Sequence, residues 1–342
     1  MNGGKVIRLR PAARQGAPHC YAFPMPSAPS PMPRAAPPQG DVLRRSACLA
    51  ELARWVEVFA PHDGVHATPV PKLRLIRASQ ASTVTHVLYE PAVCLLAQGR
   101  KQLLVGDGRV EYDPSHHLVA SHHIPVAGQI VEASAERPYL CVWIDLDPDT
   151  LASLLLEGGG PVAAPGRTAG GAPRGIYSAN TGEQLLEAVL RLCRLLDTPQ
   201  HIPRLAPLVQ REIMYWLLAA DDGWKLAQFV TPGTQSQRIG LAIDWLRQRY
   251  KEPLDMADVA RAGNMSLSSL NAHFKAVTNM SPLQYQKQLR LLEARRMLVT
   301  AAVSAEQAAH SVGYQSASQF NREYARAFGK SPARDARELR TG

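Results

Sequence analysis

The sequence predicts a two-domain α+β protein. Its N-terminal domain reads as an antiparallel β-barrel or jelly roll with a helical hairpin, its C-terminal domain as all-α, with two helix-turn-helix units joined by a long helix. Three observations predict it. Between residues 72 and 147 the apolar residues form short strand-like runs punctuated by Gly and Pro. Beyond residue 181 the apolar period becomes helical. One short-helix, turn, long-helix pattern near the C-terminus occurs twice, about fifty residues apart. A chain of 342 residues also exceeds the usual single-domain size.

Residues 1–41 read as a disordered, Pro-rich tail. The first forty contain nine prolines, five Lys/Arg and no acid, and bury too little apolar area to offset their ordering entropy. They lack the apolar core of a secretory signal, and their proline density opposes an amphipathic transit helix. Met25 and Met32 are candidates for the true start. Residues 42–225 form the barrel domain with its hairpin, 226–235 a linker with Gly233-Thr234 at its end, and 236–342 the helical domain.

Within 42–225 a first helix spans 42–59, with Leu49, Leu52, Val56 and Phe59 on one face. The runs KLRLIRAS, HVLYEPAVCLLAQG, KQLLVGDGRVEYD, HHLVASHHI, GQIVEAS and PYLCVWIDLD read as strands, with Gly106-Asp107-Gly108 as a hairpin turn. A short helix follows at 148–156, then a mobile Gly/Pro/Ala-rich loop at 158–175. Two amphipathic helices cover 181–196 and 204–219, the first with Leu185, Val189, Leu192 and Leu196 along one face. That hairpin can pack on the barrel, form a dimer interface, or do both.

In the helical domain residues 236–250 form the opening helix. Residues 305–312 and 316–328 are two helices, and Gly313-Tyr314 is the turn between them. Gly313 can take the positive φ that a steep crossing needs, and Ser316 can cap the second helix. The earlier copy has helices at 255–262 and 266–278 about Gly263-Asn264. Ser266 matches Ser316, Leu270 matches Phe320, Phe274 matches Tyr324, and Ser281-Pro282 matches Ser331-Pro332. Residues 282–299 should form one helix of roughly 27 Å, a length that holds the two units about one DNA turn apart. In the second unit Ser316, Ser318, Gln319, Asn321, Arg322, Arg326 and Lys330 are left to meet DNA; in the first, Ser266, Ser268, Ser269, Asn271, His273 and Lys275. Net charge agrees. Of a total of +9, residues 236–342 carry 16 Lys/Arg against 9 Asp/Glu, so the excess base lies on the segment proposed to meet phosphate.

These residues resemble the DNA-binding domain of the AraC/XylS family of bacterial transcription regulators. The resemblance is carried by Ala308-Ala309, Val312-Gly313-Tyr314, Ser316, Ser318, Phe320, Arg322, Phe328-Gly329 and Ser331-Pro332, and covers about the last hundred residues. There are two departures. Asp335-Ala336 stand where the family often has Tyr-Arg, a change expected to weaken the packing of the C-terminal helix. Ala272 stands where Arg is common, which weakens base reading by the first unit. The barrel resembles the cupin-like N-terminal domain of one branch of the family. The matching residues are Glu90-Pro91-Ala92, Cys94-Leu95, Gln98-Gly99, Gly106, Tyr112, Val131-Glu132-Ala133-Ser134, Pro138-Tyr139-Leu140 and Leu146-Asp147. The resemblance implies an effector-sensing barrel, a homodimer and work alongside RNA polymerase.

Enzymatic readings find less support. His116-His117 and His122-His123, on one extended strand, would put two His on each face roughly 20 Å apart, too far for one metal. Surface or loop histidines are the expectation, with no metal and no cofactor. Cys20, Cys48, Cys94, Cys141 and Cys193 are odd in number and contain no CxxC pair, which fits reduced thiols in the cytoplasm. Cys94 and Cys141 read as small core residues, and a reactive thiol would need neighbours that lower its pKa. There is no run of 18 apolar residues, hence no expected membrane span. The reading is a cytoplasmic, nucleoid-associated regulator of transcription, by expectation an activator, that binds double-stranded DNA and a small, partly apolar organic effector. Its effector contacts are His86, Tyr89, Gln98, Cys141 and Trp143, taken to face inward. Arg and Lys look sparse inside the strands, which disfavours nucleotides and sugar phosphates. The alternatives are a metal-dependent cupin enzyme fused to a DNA-binding tail, and a ligand-free architectural DNA binder.

Overall fold

Strand alternation explains how one sheet serves two cores. In the computed structural model, which describes residues 39–158, 172–301 and 303–341, helix α1 (Gln39–Phe59) precedes nine strands. These are β1 (Gly64–Ala67), β2 (Leu73–Ala78), β3 (Thr85–Tyr89), β4 (Ala92–Gln98), β5 (Arg100–Val105), β6 (Gly108–Tyr112), β7 (His116–Ala120), β8 (Ile124–Glu132) and β9 (Tyr139–Asp145). Helix α2 (Pro148–Leu156), strand β10 (Ile176–Asn180) and helices α3 (Glu183–Arg194), α4 (Ile202–Ala219) and α5 (Gly223–Val230) follow. All described strand pairs are antiparallel. They form a six-stranded sheet, β1-β2-β9-β4-β7-β10, and a four-stranded sheet, β3-β8-β5-β6. Residues 1–38 of the expected tail, with Cys20, Met25 and Met32, and most of the expected loop, 159–171, lie outside the described residues, while 39–41, expected as tail, open α1.

On β4, Val93, Leu95 and Ala97 point to α1–α5, while Cys94 and Leu96 point to the smaller sheet. On β9, Leu140, Val142 and Ile144 take the helical side, and Tyr139, Cys141 and Trp143 the inter-sheet side. Period-2 geometry makes this division. The helical core holds the fully buried Leu52 and Val56 of α1 and Val189 and Leu192 of α3. Arg45 adds bonds to the carbonyls of Thr181 (2.6 Å) and Pro114 (2.8 Å), and Arg194 makes two 2.7 Å bonds to Glu51.

This changes the reading of the helical hairpin. Leu185, Val189, Leu192 and Leu196 face α1, α4 and the sheet of their own chain, so they are not available as a dimer surface. The outward apolar side chains of the hairpin are Leu205 and Leu208 on α4. Strand β10 and helix α5 were not anticipated. β10 is five residues without clear alternation, set directly after a Gly/Pro-rich run, and α5 reaches into the segment expected as linker.

The histidine segment is also corrected. β7 stops at Ala120, and Ser121-His122-His123 bend into β8. His117 and His122 are buried rather than on the surface. Burial holds both pKa values at about 4, as it does for His123 with Arg247 beside it, so all three are neutral at pH 7. His122 Nε2 donates to the carbonyl of Ser236 (3.0 Å), and its Nδ1 pairs with the Ser121 hydroxyl (2.8 Å).

The remaining helices are α6 (Gln235–Gln248), α7 (Met256–Ala262), α8 (Leu267–Thr278), α9 (Pro282–Thr300), α10 (Ala305–Ser311), α11 (Ala317–Phe328) and α12 (Pro332–Thr341). The inter-sheet residues of the β domain share one buried cluster with Ile239, Ile243 and Leu246 of α6, Phe274 and Val277 of α8, and Tyr285 and Leu289 of α9. Among the described residues five hydrogen bonds cross this seam, one of them from Arg247 Nη1 of α6 to His123 Nδ1 (3.1 Å). Besides His122, the Tyr285 hydroxyl donates to the carbonyl of His123 (2.7 Å), Gly175 N to that of Val277 (2.9 Å), and Asn279 Nδ2 to that of Val105 (2.9 Å). The last contact explains Gly106. Its φ is +54°, and a Cβ there would lie 2.3 Å from the Asn279 carbonyl oxygen.

Candidate nucleic-acid interface and effector cavity

Local sequence builds each helix-turn-helix. Asp255 caps α7, Ser266 caps α8 by accepting from Ser269 N, Ser304 caps α10 in a capping box with Gln307, and Ser316 caps α11 by accepting from Gln319 N. The turn of the second unit depends on Gly313, whose φ is +91°. A Cβ there would meet the Lys251 carbonyl oxygen at 2.1 Å. In the first unit the left-handed residue is Asn264, at φ 51°.

Helix α9, about 28 Å long at 1.5 Å per residue, joins the units and also fixes them. Arg290 donates to the carbonyls of Tyr250 (2.6 Å), Lys251 (3.2 Å) and Glu252 (2.8 Å) in the segment that leads from α6 into the first unit, and to that of Gly313 (3.2 Å) in the turn of the second. Gln286 adds bonds to Tyr250 O (3.1 Å) and Glu252 O (2.8 Å). At the far end Asp335 of α12 accepts two bonds from Arg295 of α9 (2.8 and 3.1 Å) and one from the Tyr324 hydroxyl of α11 (2.7 Å). Asp335 therefore anchors the C-terminal helix, contrary to the weaker packing expected of a departure from Tyr-Arg. Sequence reasoning missed Arg290, Gln286 and Arg295 because a Gln/Arg-rich helix reads as solvated. A polar residue at the buried helical phase, as Gln286 is beside Tyr285 and Leu289, was the available signal.

The expected contact residues divide by burial. Ser318, Gln319, Asn321, Arg322 and Arg326 are exposed on α11, as are Ser268, Asn271 and Lys275 on α8. Ser269 and His273 are half-buried. The side-chain oxygens of Ser266 and Ser316 are occupied as caps. Gln319 bonds Glu323 (3.3 Å), and Lys330 is ion-paired with Glu338. Arg322 and Arg326 show no ion pair with any described residue, which leaves two guanidinium groups available on one recognition helix.

The expected effector residues only partly converge. Tyr89, Cys141 and Trp143 do meet between the sheets, Tyr89 and Trp143 with ring centroids 4.9 Å apart. Gln98 is tied to the carbonyl of Pro138 (2.7 Å). His86 faces away from the inter-sheet space: it meets Phe328 of α11 edge-on at 5.0 Å and lines a groove against α9. Strand alternation separates His86 from Tyr89, since three residues along a strand reverse the face. The structure adds Cys94, Tyr112, Tyr139 and Lys101. Lys101 shares the period-2 face of the buried Leu103 and Val105, a signal that the neighbouring apolar Leu104 hid. Lysine is thus present inside these strands. Its Nζ lies 5.5 Å from the Tyr89 ring centre and 5.9 Å from that of Tyr139. A cleft of about 350 Å³ opens here, lined by Tyr89, Lys101, Trp143, Ile76, Leu88, Arg74 and others. Burial pushes the Cys94 thiol up, which does not favour a thiolate. Among the described residues no three His, Cys, Asp or Glu side chains gather as metal ligands, and no helix is long and apolar enough to cross a membrane.

Two capped helix-turn-helix units on a shared helix, attached to an antiparallel β domain, define a bipartite helix-turn-helix protein with a sensor-like module. Family comparison agrees. Residues 69–225 match the AraC-type transcriptional regulator N-terminus, and 259–338 a helix-turn-helix domain. The chain belongs to the AraC/XylS family of transcriptional regulators. It is 33% identical over 106 residues to the transcriptional activator RhaS of Pectobacterium atrosepticum, covering 30% of this chain and 38% of RhaS. To a probable thc operon regulatory protein of Rhodococcus erythropolis it is 28% identical over 165 residues, 46% of this chain and 50% of that one. The chain thus spans about half or less of the length of these two relatives. The fold is shared with ToxT of Vibrio cholerae, described in complex with (E)-4-(8-methylnaphthalen-1-yl)but-3-enoic acid. The TM-score is 0.51 at 12% identity, over 78% of this chain and 98% of ToxT. An apo point variant of ToxT from the same species gives a TM-score of 0.50 at 10% identity, over 80% and 100%.

Proposed function

We propose that this protein regulates transcription by binding double-stranded DNA through α8 and α11, under control of a small organic effector held between the two sheets. One observation carries the reading: Arg290 of the shared helix joins the segment leading into the first unit to the turn of the second, which supports two recognition helices with exposed polar faces acting together. Base contacts are assigned to Ser318, Gln319 and Arg322 in the second unit and to Ser268 and Asn271 in the first. Asn321 and His273 are accessory, and Lys275 and Arg326 hold phosphate. The domain division is 42–225 and 236–342, with α5 extending the first domain to Val230. Homodimerisation is assigned to the outward side of α4, and the protein acts in the cytoplasm as an activator alongside RNA polymerase rather than as an enzyme. Footprinting on DNA upstream of its own and neighbouring genes tests the proposal: wild type should protect two adjacent major-groove segments, and Arg322→Ala should need more protein to protect the segment facing α11. Wild-type protein that protects no DNA segment would overturn it.

A further inference from the structure

Two polar groups of the inter-sheet cleft, Lys101 and Tyr89, lie beside each other without an ion pair to any described carboxylate. Arg74, the other cation of the cleft, is ion-paired to Asp145 and Glu90 and lies over the Trp143 ring. Lys101 forms no ion pair among the described residues, and the rings nearest its ammonium are Tyr89 and Tyr139. Burial works against that charge, but Tyr89 beside it holds the lysine pKa above its ordinary value, so the ammonium stays charged at neutral pH. The tyrosines are raised, chiefly by burial, and remain neutral phenols. The second group is the Tyr89 hydroxyl, which is buried and has no hydrogen-bond partner. A buried hydroxyl is costly to leave without a hydrogen-bond partner, and the ammonium beside it has no described carboxylate. An oxyanion would satisfy both, with one charge-assisted bond and one hydroxyl bond.

We propose that this cleft binds an organic monocarboxylate, its head on Lys101 Nζ and the Tyr89 hydroxyl and its apolar body along Trp143, Ile76 and Leu88. The inference rests on the effector reading and specifies its ligand class. One ammonium and one hydroxyl match a single negative charge, and a phosphate ester would leave a second charge unpaired. The cleft volume of about 350 Å³ suits a body of one or two fused rings or a medium acyl chain.

The test titrates the full chain calorimetrically with 1-naphthoate, octanoate, 1-naphthamide and acetate. At least one of the first two should bind, the amide at least tenfold more weakly than naphthoate if naphthoate binds, and acetate scarcely at all. Lys101→Met should lose at least tenfold for the acid and little for the amide, and Tyr89→Phe should lose severalfold. Without ligand, Lys101→Met should stay folded, because no described carboxylate is left unpaired by its removal and methionine keeps the apolar stem. Should that variant fail to fold, a lysine needed for structure is indicated and the inference falls. Equal affinity for acid and amide, unchanged binding by Lys101→Met, or no binding of either long acid at millimolar concentration would also overturn it. Footprinting on the same preparations separates the two claims: loss of carboxylate selectivity with an intact footprint removes only the ligand class.

Discussion

Asp335 gives the sharpest test of how the second DNA-binding unit is held. The carboxylate is 3% exposed and joins three helices: α12 carries it, α9 supplies Arg295 and α11 supplies Tyr324. Asp335→Ala would leave Arg295, only 17% exposed, without its partner and would orphan the Tyr324 hydroxyl. Removing one member of a buried pair costs on the order of 3–5 kcal/mol. The Phe328 ring, 4.8 Å from the Arg295 guanidinium, relieves part of this, so a loss of about 3 kcal/mol is expected. The assay is thermal unfolding of the full chain by calorimetry, completed as a double-mutant cycle with Arg295→Met. Removing both charges should restore about 2 kcal/mol relative to Asp335→Ala alone, since no uncompensated ion remains. Additive losses would refute the argument, as would Asp335→Ala costing less than about 0.5 kcal/mol, the range of ordinary surface changes. The pH dependence has a definite sign. Burial opposes the charge, but the Arg295 and Tyr324 bonds hold the Asp335 pKa below the ordinary Asp value. Its stabilisation is complete above the unfolded Asp pKa, near 4, and is lost as pH falls through the lower folded value. Asp335→Asn should lack that acid transition.

Other substitutions separate the remaining claims. Arg322→Ala should cost ~1–3 kcal/mol of operator affinity and relax preference at one base pair, whereas Lys275→Ala and Arg326→Ala should weaken all sequences alike and flatten the salt slope. Gel-shift titrations at two salt concentrations measure both. Leu192→Asp should unfold the β domain rather than release a folded monomer, because the side chain is fully buried against its own chain. Circular dichroism and sedimentation distinguish these outcomes. Acidification should weaken the seam between the β domain and α6–α9. His122 is held at about 4, so the unfolded state takes up its proton first and stability falls as pH drops below about 6.5. The loss is about 2 kcal/mol by pH 5, and His122→Gln should reduce the pH dependence seen by calorimetry.

The two helix-turn-helix units were legible in sequence because their determinants are local. Ser266, Ser304 and Ser316 cap helices through bonds spanning three residues, Gly313 sets one turn by its own backbone, and Leu270, Phe274, Phe320 and Tyr324 fall at helical spacing. The Gly106 hairpin and the strand runs were legible for the same reason. The faces were not. Sequence gives each strand two faces, but only sheet pairing decides that Tyr139 and Cys141 meet Tyr89 while His86 turns to α9 and Phe328. The Leu192 stripe showed that α3 buries one side; packing decided that its cover is α1, α4 and the sheet of the same chain. Asp335 and Lys101 show the limit most clearly. In sequence each is an ordinary charged residue; the first becomes an anchor because Arg295, forty residues away, comes within 2.8 Å, and the second a candidate ligand anchor because no described carboxylate pairs with it. Charge energetics depend on distance and desolvation, and both are set by tertiary packing rather than by neighbours along the chain.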